Sequence, residues 1–118
     1  MLITKEAYYK LMNSPQVPPE IGGILMGSNS IIDTVIFDVG IKRSNDSTIK
    51  YIPNAKFLNE CILSLCEQGK VFWGIFHTHA CQWDSLSNAD AHYITTIMDA
   101  MPAEIKFLYF PIVYPGKC

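Results

Sequence analysis

Basic charge is scarce and scattered: Arg43 is the sole arginine, and nine Lys and Arg face eleven Asp and Glu for a net charge of -2. Nucleic-acid binding rests on clustered Lys and Arg that neutralise phosphates. The Lys42-Arg43 pair is the nearest approach to a cluster and reads as a solvated loop, so no nucleic-acid partner is expected. The four cysteines, Cys61, Cys66, Cys81 and Cys118, form no Cys-x-x-Cys pair, which removes a zinc knuckle and a thioredoxin-like site. Cys61 and Cys66 fall in an apolar helical pattern and are expected as core thiols, and free thiols fit a reducing compartment. Long apolar runs are also missing. Residues 71–76 are far too few to span a bilayer, and the first six residues lack the apolar stretch of a signal peptide. These absences point to a soluble, cytoplasmic protein without a membrane partner. No repeat, linker or low-complexity stretch divides the 118 residues, of which 49% are hydrophobic. A single domain over 1–118 with one core is expected.

The periodicities alternate between helix and strand. Residues 3–12 carry Ile3, Ala7, Tyr8 and Leu11 at helical spacing, with Thr4 as N-cap. Three prolines make 13–19 a loop. Residues 21–27 read as a buried, glycine-rich strand, and 31–41 as a second strand with Val35, Phe37, Val39 and Ile41 on one face. A polar turn over 42–47 leads to a short strand at 48–52. Helical period returns over 54–68 through Leu58, Cys61, Ile62 and Leu65, with Gly69 as C-cap. The apolar strand 71–76 runs into His77-Thr78-His79. Ala91, Ile94, Met98 and Met101 stripe a helix over 87–101 that Pro102 ends, and 105–114 is a last strand. Without a regular strand–helix alternation, this is an α+β sheet flanked by helices.

Two of the three histidines are His77 and His79. Residues i and i+2 of a strand point to one face, so both imidazoles can converge on one ion. A His-x-His pair alone is as readily structural. Eleven residues on, Asp90 falls in the first turn of the 87–101 helix. Strand-end histidines and a helix-start carboxylate can supply three zinc ligands with the fourth position open to water, whose pKa such an ion lowers toward ~7. The competing reading makes Ser87-Asn88-Ala89-Asp90 a helix capping box; Ser87 can serve both readings, whereas for Asp90 they compete. Glu20, between Pro19 and Gly22-Gly23, is a carboxylate of the kind that takes a proton from such a water. Its alternative is an exposed acid at a strand start. Other metal folds fit less well. A metallo-β-lactamase needs further ligands close behind the His-x-His, where Ala80-Cys81-Gln82 stands. An amidohydrolase barrel needs ~250 residues, and a cupin needs a third histidine on a later strand, for which His92 is misplaced.

Together, Glu20-Ile21-Gly22-Gly23-Ile24-Leu25-Met26-Gly27 and Gly74-Ile75-Phe76-His77-Thr78-His79-x7-Ser87-x2-Asp90 resemble the JAMM metallopeptidases, also called MPN-plus or JAB-domain proteins. The likeness extends from about Ile3 to Tyr114 and includes Tyr51-Ile52-Pro53-Asn54 ahead of the middle helix. It implies a three-layer α/β fold with a curved mixed sheet. It also implies Zn2+ on His77, His79 and Asp90, Glu20 as acid/base, and Ser87 stabilising the oxyanion. Family members commonly cut peptide or isopeptide bonds after the Gly-Gly tail of ubiquitin or ubiquitin-like proteins. The implied partner is therefore a ubiquitin-like or sulfur-carrier-like protein substrate, its tail bound extended at a strand edge. Ala80 departs from the proline usual after the second histidine. The same loop carries Cys81, which can approach the metal, and Trp83, which lines a channel or packs as an ordinary aromatic. There is little room for the insertions of the ubiquitin-specific eukaryotic relatives, so a minimal, prokaryotic-type version is expected. Two other readings are a non-catalytic scaffold of the same fold and a RadC-like protein. The second usually carries His-Asn-His-Pro-Ser-Gly, which is absent here.

Overall fold

The computed structural model describes residues 2–15, 20–41, 52–78, 95 and 108–113. In chain order these form β1 (Leu2–Ile3), α1 (Lys5–Met12), β2 (Gly22–Gly27), β3 (Ile31–Asp38), α2 (Ala55–Glu67), β4 (Val71–Thr78) and β5 (Ile112–Val113). The strands make one mixed sheet in the order β1-β3-β2-β4-β5. β2 is antiparallel to β3 and β4, while β1 on β3 and β5 on β4 are parallel. Register shifts at Met26/Gly27 against β3 and at Leu25/Met26 against β4 bend the sheet, in keeping with the curvature expected.

Strand alternation sends successive side chains to opposite faces, and each face has its own helix. On one, Leu25, Val35 and Phe76 pack with Ala7 and Leu11 of α1. On the other, Ile24, Met26 and Ile75 pack with Leu58 of α2, flanked by Cys61, Ile62 and Leu65. The fold is thus α+β in three layers, with β2 buried along its whole length. Both α1 and α2 start on a side-chain cap. Thr4 Oγ1 accepts from the Ala7 N–H at 3.1 Å, and Asn54 Oδ1 accepts from the Phe57 N–H at 3.2 Å. Glu6 in the first turn and Lys10 in the last turn of α1 complement the helix dipole. No helix of the described residues is long and apolar enough to cross a membrane.

Several expectations are corrected. Ile3 belongs to a strand rather than a helix, pairing with Ile32 while the Thr4 N–H donates to the Ile32 carbonyl. The second strand ends at Asp38 instead of running to 41, leaving Val39 and Ile41 54% and 40% exposed. The reason is the Asp38 carboxylate, which accepts from the Gly40 N–H at 3.0 Å and the Asn54 N–H at 2.9 Å. A side chain thereby replaces ladder carbonyls as acceptor and turns the chain. α2 is capped at its C-terminus by Gln68, with Gly69 one residue later at φ +89°, a position glycine fills without steric cost. Cys66 is exposed, not a core thiol, because the inward stripe of α2 runs through the buried Leu58 and the partly buried Cys61, Ile62 and Leu65. Of the last expected strand, 105–107 and 114 lie outside the described residues, and within 108–113 the strand is Ile112–Val113, because Pro111 has no N–H to give a ladder. Before it, Tyr109 makes an isolated bridge to Gly74, whose missing Cβ lets the Tyr109 carbonyl approach. The expected turn at 42–47 lies outside the described residues, as do residues 48–51 of the next expected strand and all of the 87–101 helix except Thr95, which is helical.

At the end of the sheet away from His77, Lys70 Nζ contacts both carboxylate oxygens of Asp33 at 2.9 and 3.0 Å. This bond first, and the Thr34 hydroxyl second, hold the Asp33 carboxyl below its ordinary 3.8. A depressed folded pKa stabilises fully above the unfolded value and loses that stabilisation as pH falls through the folded one. The pair is about one-third exposed, so solvent screening limits it to under ~1 kcal/mol. Lys70→Met is therefore expected to lower stability by less than ~1 kcal/mol at pH 7. In denaturant titrations the gap from wild type should narrow as pH drops below 3.8.

Candidate metal centre

The apolar strand β4 delivers His77 to its C-terminal end, between two neighbours. Gly22 of β2 pairs with His77 on one side and Ile112 of β5 on the other, and the His77 N–H donates to the Pro111 carbonyl at 3.3 Å. His77 is half-buried. Its strand parity is that of Ile75, which packs on the α2 side, whereas Phe76 packs on the α1 side. Gly22 also pairs with Asp38 of β3, so Asp38, Gly22 and His77 form one row across the sheet. The glycine places no side chain between the imidazole and the carboxylate positions. Asp38 is 4% exposed and serves the turn described above. The sequence reading missed this acid; its signal was the Asp-x-Gly spacing, which suits a carboxylate that caps its own turn.

Glu20, half-buried, leads directly into Ile21, which is fully buried. Ile21 is tied to Thr78 in both directions. The Thr78 N–H donates to the Ile21 carbonyl at 2.8 Å, and the Ile21 N–H donates to Thr78 Oγ1 at 2.9 Å. These bonds join positions 57 apart in sequence. They bring the segment bearing Glu20 and the segment bearing His77 to the same end of the sheet. His79, Ser87 and Asp90 lie outside the described residues, as do Cys81 and Trp83. Among the described residues no three His, Cys, Asp or Glu side chains gather as a metal site, and two of the three expected ligands are not among them.

Among the described residues, Cys61 is a further reactive group on the α2 face. Burial pushes its thiol up, and the Glu60 and Asp38 carboxylates add to the shift. A raised thiol pKa keeps the sulfur protonated and a poor nucleophile at neutral pH, so Cys61 acts as packing on the α2 face.

No protein-family model matches the chain, and no curated protein matches it. Solved structures do. A protein of Desulfitobacterium hafniense, solved in solution, aligns with TM-score 0.66 at 18% identity over 96% of this chain and 73% of its own. A JAB1/MPN domain protein from Archaeoglobus fulgidus aligns with TM-score 0.51 at 17% identity, over 81% of this chain and 69% of its own. At these identities the likeness is one of fold, and the three-layer arrangement is of JAB/MPN type.

Proposed function

We propose that this chain is a zinc-dependent peptidase or isopeptidase of the JAMM kind, with His77, His79 and Asp90 holding the metal and Glu20 as general base. Two imidazoles and one carboxylate are a donor set suited to zinc. His77 sits on a strand paired on both sides, which stiffens its backbone. The observation that carries the reading is the Gly22–His77 register with its Ile21–Thr78 extension. Glu20 directly precedes Ile21, so its Cα lies ~3.8 Å from that hydrogen-bonded residue. The segments that carry the base and the first imidazole therefore meet at one end of the sheet.

When bound, zinc supplies an acidified water and polarises the scissile carbonyl. Glu20 takes one proton from the attacking water and returns it to the leaving nitrogen as the C–N bond breaks. Water adds across the amide and no other reagent is consumed. Ser87 donates a hydrogen bond to the oxygen that gains charge. The substrate class is a ubiquitin-like or sulfur-carrier-like protein cut after its Gly-Gly tail.

The test uses a ubiquitin-like fold joined through Gly-Gly to a reporter peptide. Purified protein is expected to hold about one zinc per chain and to release the reporter after the second glycine. Chelation should stop release and added zinc restore it. Protein that takes up no zinc and cleaves nothing would place it with non-catalytic scaffolds of the same fold.

A further inference from the structure

Antiparallel pairing of β2 with β4 ends at Gly22 and His77, yet one more residue on each chain stays joined by a different device. In a continuing ladder the Ile21 N–H would donate to a backbone carbonyl. It donates instead to Thr78 Oγ1 at 2.9 Å, while the Thr78 N–H donates to the Ile21 carbonyl at 2.8 Å. The Thr78 hydroxyl reaches the same carbonyl at 3.4 Å. Both residues are 0% exposed, so water does not compete for these groups. The β-branch restricts χ1 and holds the hydroxyl in place. Because a side chain is the acceptor, the direction of the backbone after Thr78 is not dictated by the Ile21 N–H.

We infer that Thr78 is a positioning residue for the hydrolysis proposed above. Its hydroxyl fixes the backbone beside Glu20 to the backbone between His77 and His79, and so sets the distance from the base to the metal ligands. This rests on the reading of Glu20 as base and of the two histidines as ligands. The contacts of the Thr78 hydroxyl among the described residues are the Ile21 N–H and carbonyl, which is a positioning role and not a chemical one. Proton transfer needs a heavy-atom reach of about 2.6–3.2 Å, and a ~1 Å displacement of a catalytic group costs about 100-fold in rate. A single buried hydroxyl between the two histidines is placed to prevent that displacement.

Thr78→Val keeps the shape and removes the acceptor; Thr78→Ser keeps the hydroxyl. For Thr78→Val on the Gly-Gly reporter fusion, kcat is expected to fall about 30–100-fold with KM nearly unchanged. Zinc affinity, read by competition with a chelating dye, should stay close to wild type, and Thr78→Ser should regain most of kcat. Amide hydrogen exchange on the zinc-free proteins gives a readout independent of turnover. Ile21 should exchange slowly in wild type and Thr78→Ser and at least about 10-fold faster in Thr78→Val, with Ile24 unchanged. A Thr78→Val protein with wild-type kcat, with an Ile21 amide as protected as before, or with a loss confined to zinc affinity overturns the assignment. If Thr78→Val does not fold, the other two proteins decide. Slow Ile21 exchange with full turnover in Thr78→Ser supports the role. Fast Ile21 exchange in wild type, or turnover lost in Thr78→Ser despite slow exchange, overturns it. Failure of the underlying reading looks different: wild type that binds no zinc, or a fully active Glu20→Gln protein, removes the reaction itself and reduces the Ile21 result to a statement about folding.

Discussion

Glu20→Gln is expected to leave zinc binding at the wild-type level and to lower kcat on the Gly-Gly reporter fusion about 10²–10⁴-fold, the usual contribution of a positioned general base. Glutamine matches glutamate in size and can still hydrogen-bond, but it cannot take a proton from water at neutral pH. Glu20 precedes the buried Ile21, whose bonds to Thr78 depend on backbone and hydroxyl groups that the substitution leaves alone. Thermal stability should therefore change little, and the loss should fall on kcat rather than KM. The pH profile of kcat/KM should also lose its acidic limb, since that limb reports the ionisation of the essential base. An active, fully metallated Glu20→Gln protein would assign the base elsewhere. Loss of zinc on the same change would make Glu20 a ligand.

His77→Ala should act on the metal instead. Deleting a direct ligand costs more than the about 10–100-fold in affinity typical of losing a partner that merely supports one. Its backbone pairing with Gly22 and Ile112 does not involve the imidazole, so the sheet should persist. Saturating zinc stabilises a protein that binds it only when folded, by about 2.7 kcal/mol at 100 times Kd. For a domain of this size that corresponds to roughly 10 °C in Tm. Differential scanning fluorimetry should show such a rise for wild type and none for His77→Ala, with both proteins melting cooperatively without metal. A zinc-dependent rise that survives in His77→Ala would remove it from the ligand set.

The parts of the fold legible in the sequence are those whose signals are local. Thr4 is the expected N-cap of α1 and accepts the Ala7 N–H, and Asn54, at the start of the expected middle helix, accepts the Phe57 N–H. The Gly22–Gly27 run is apolar without alternation, as a strand covered on both faces must be. What escaped depends on partners distant in the chain. β1 is two residues long and exists because Leu2 and Ile3 lie against Ile31 and Ile32, which no periodicity announces. The end of β3 was misplaced because Val39 and Ile41 continue an apolar alternation, while the Asp38 side chain, already committed to Gly40 and Asn54, ends the strand. Cys66 lies beside the inward stripe of α2, one residue past Leu65, and a step of 100° decides its exposure.

The candidate site was legible only in part. His77 and the strand beneath it followed from an apolar run ending in His-x-His. That Glu20 belongs with them came from resemblance, because nothing local links positions so far apart. The structure brings the segments bearing Glu20 and His77 to one end of the sheet, through Gly22 opposite His77 and Ile21 bonded to Thr78. Thr78 itself drew no role from the sequence. A hydroxyl on a β-branched residue at the buried end of an apolar strand was the available signal, since such a group is buried only when it is hydrogen-bonded.

Diffraction from zinc-soaked crystals, with data collected on both sides of the zinc absorption edge, tests the central claim most directly. The account predicts one anomalous peak with His77 and His79 nitrogens at about 2.0–2.1 Å and an Asp90 oxygen at about 2.0–2.2 Å, and the Glu20 carboxylate within hydrogen-bond reach of the remaining coordination position. A peak bound by other residues, or no peak with those side chains directed apart, would contradict it.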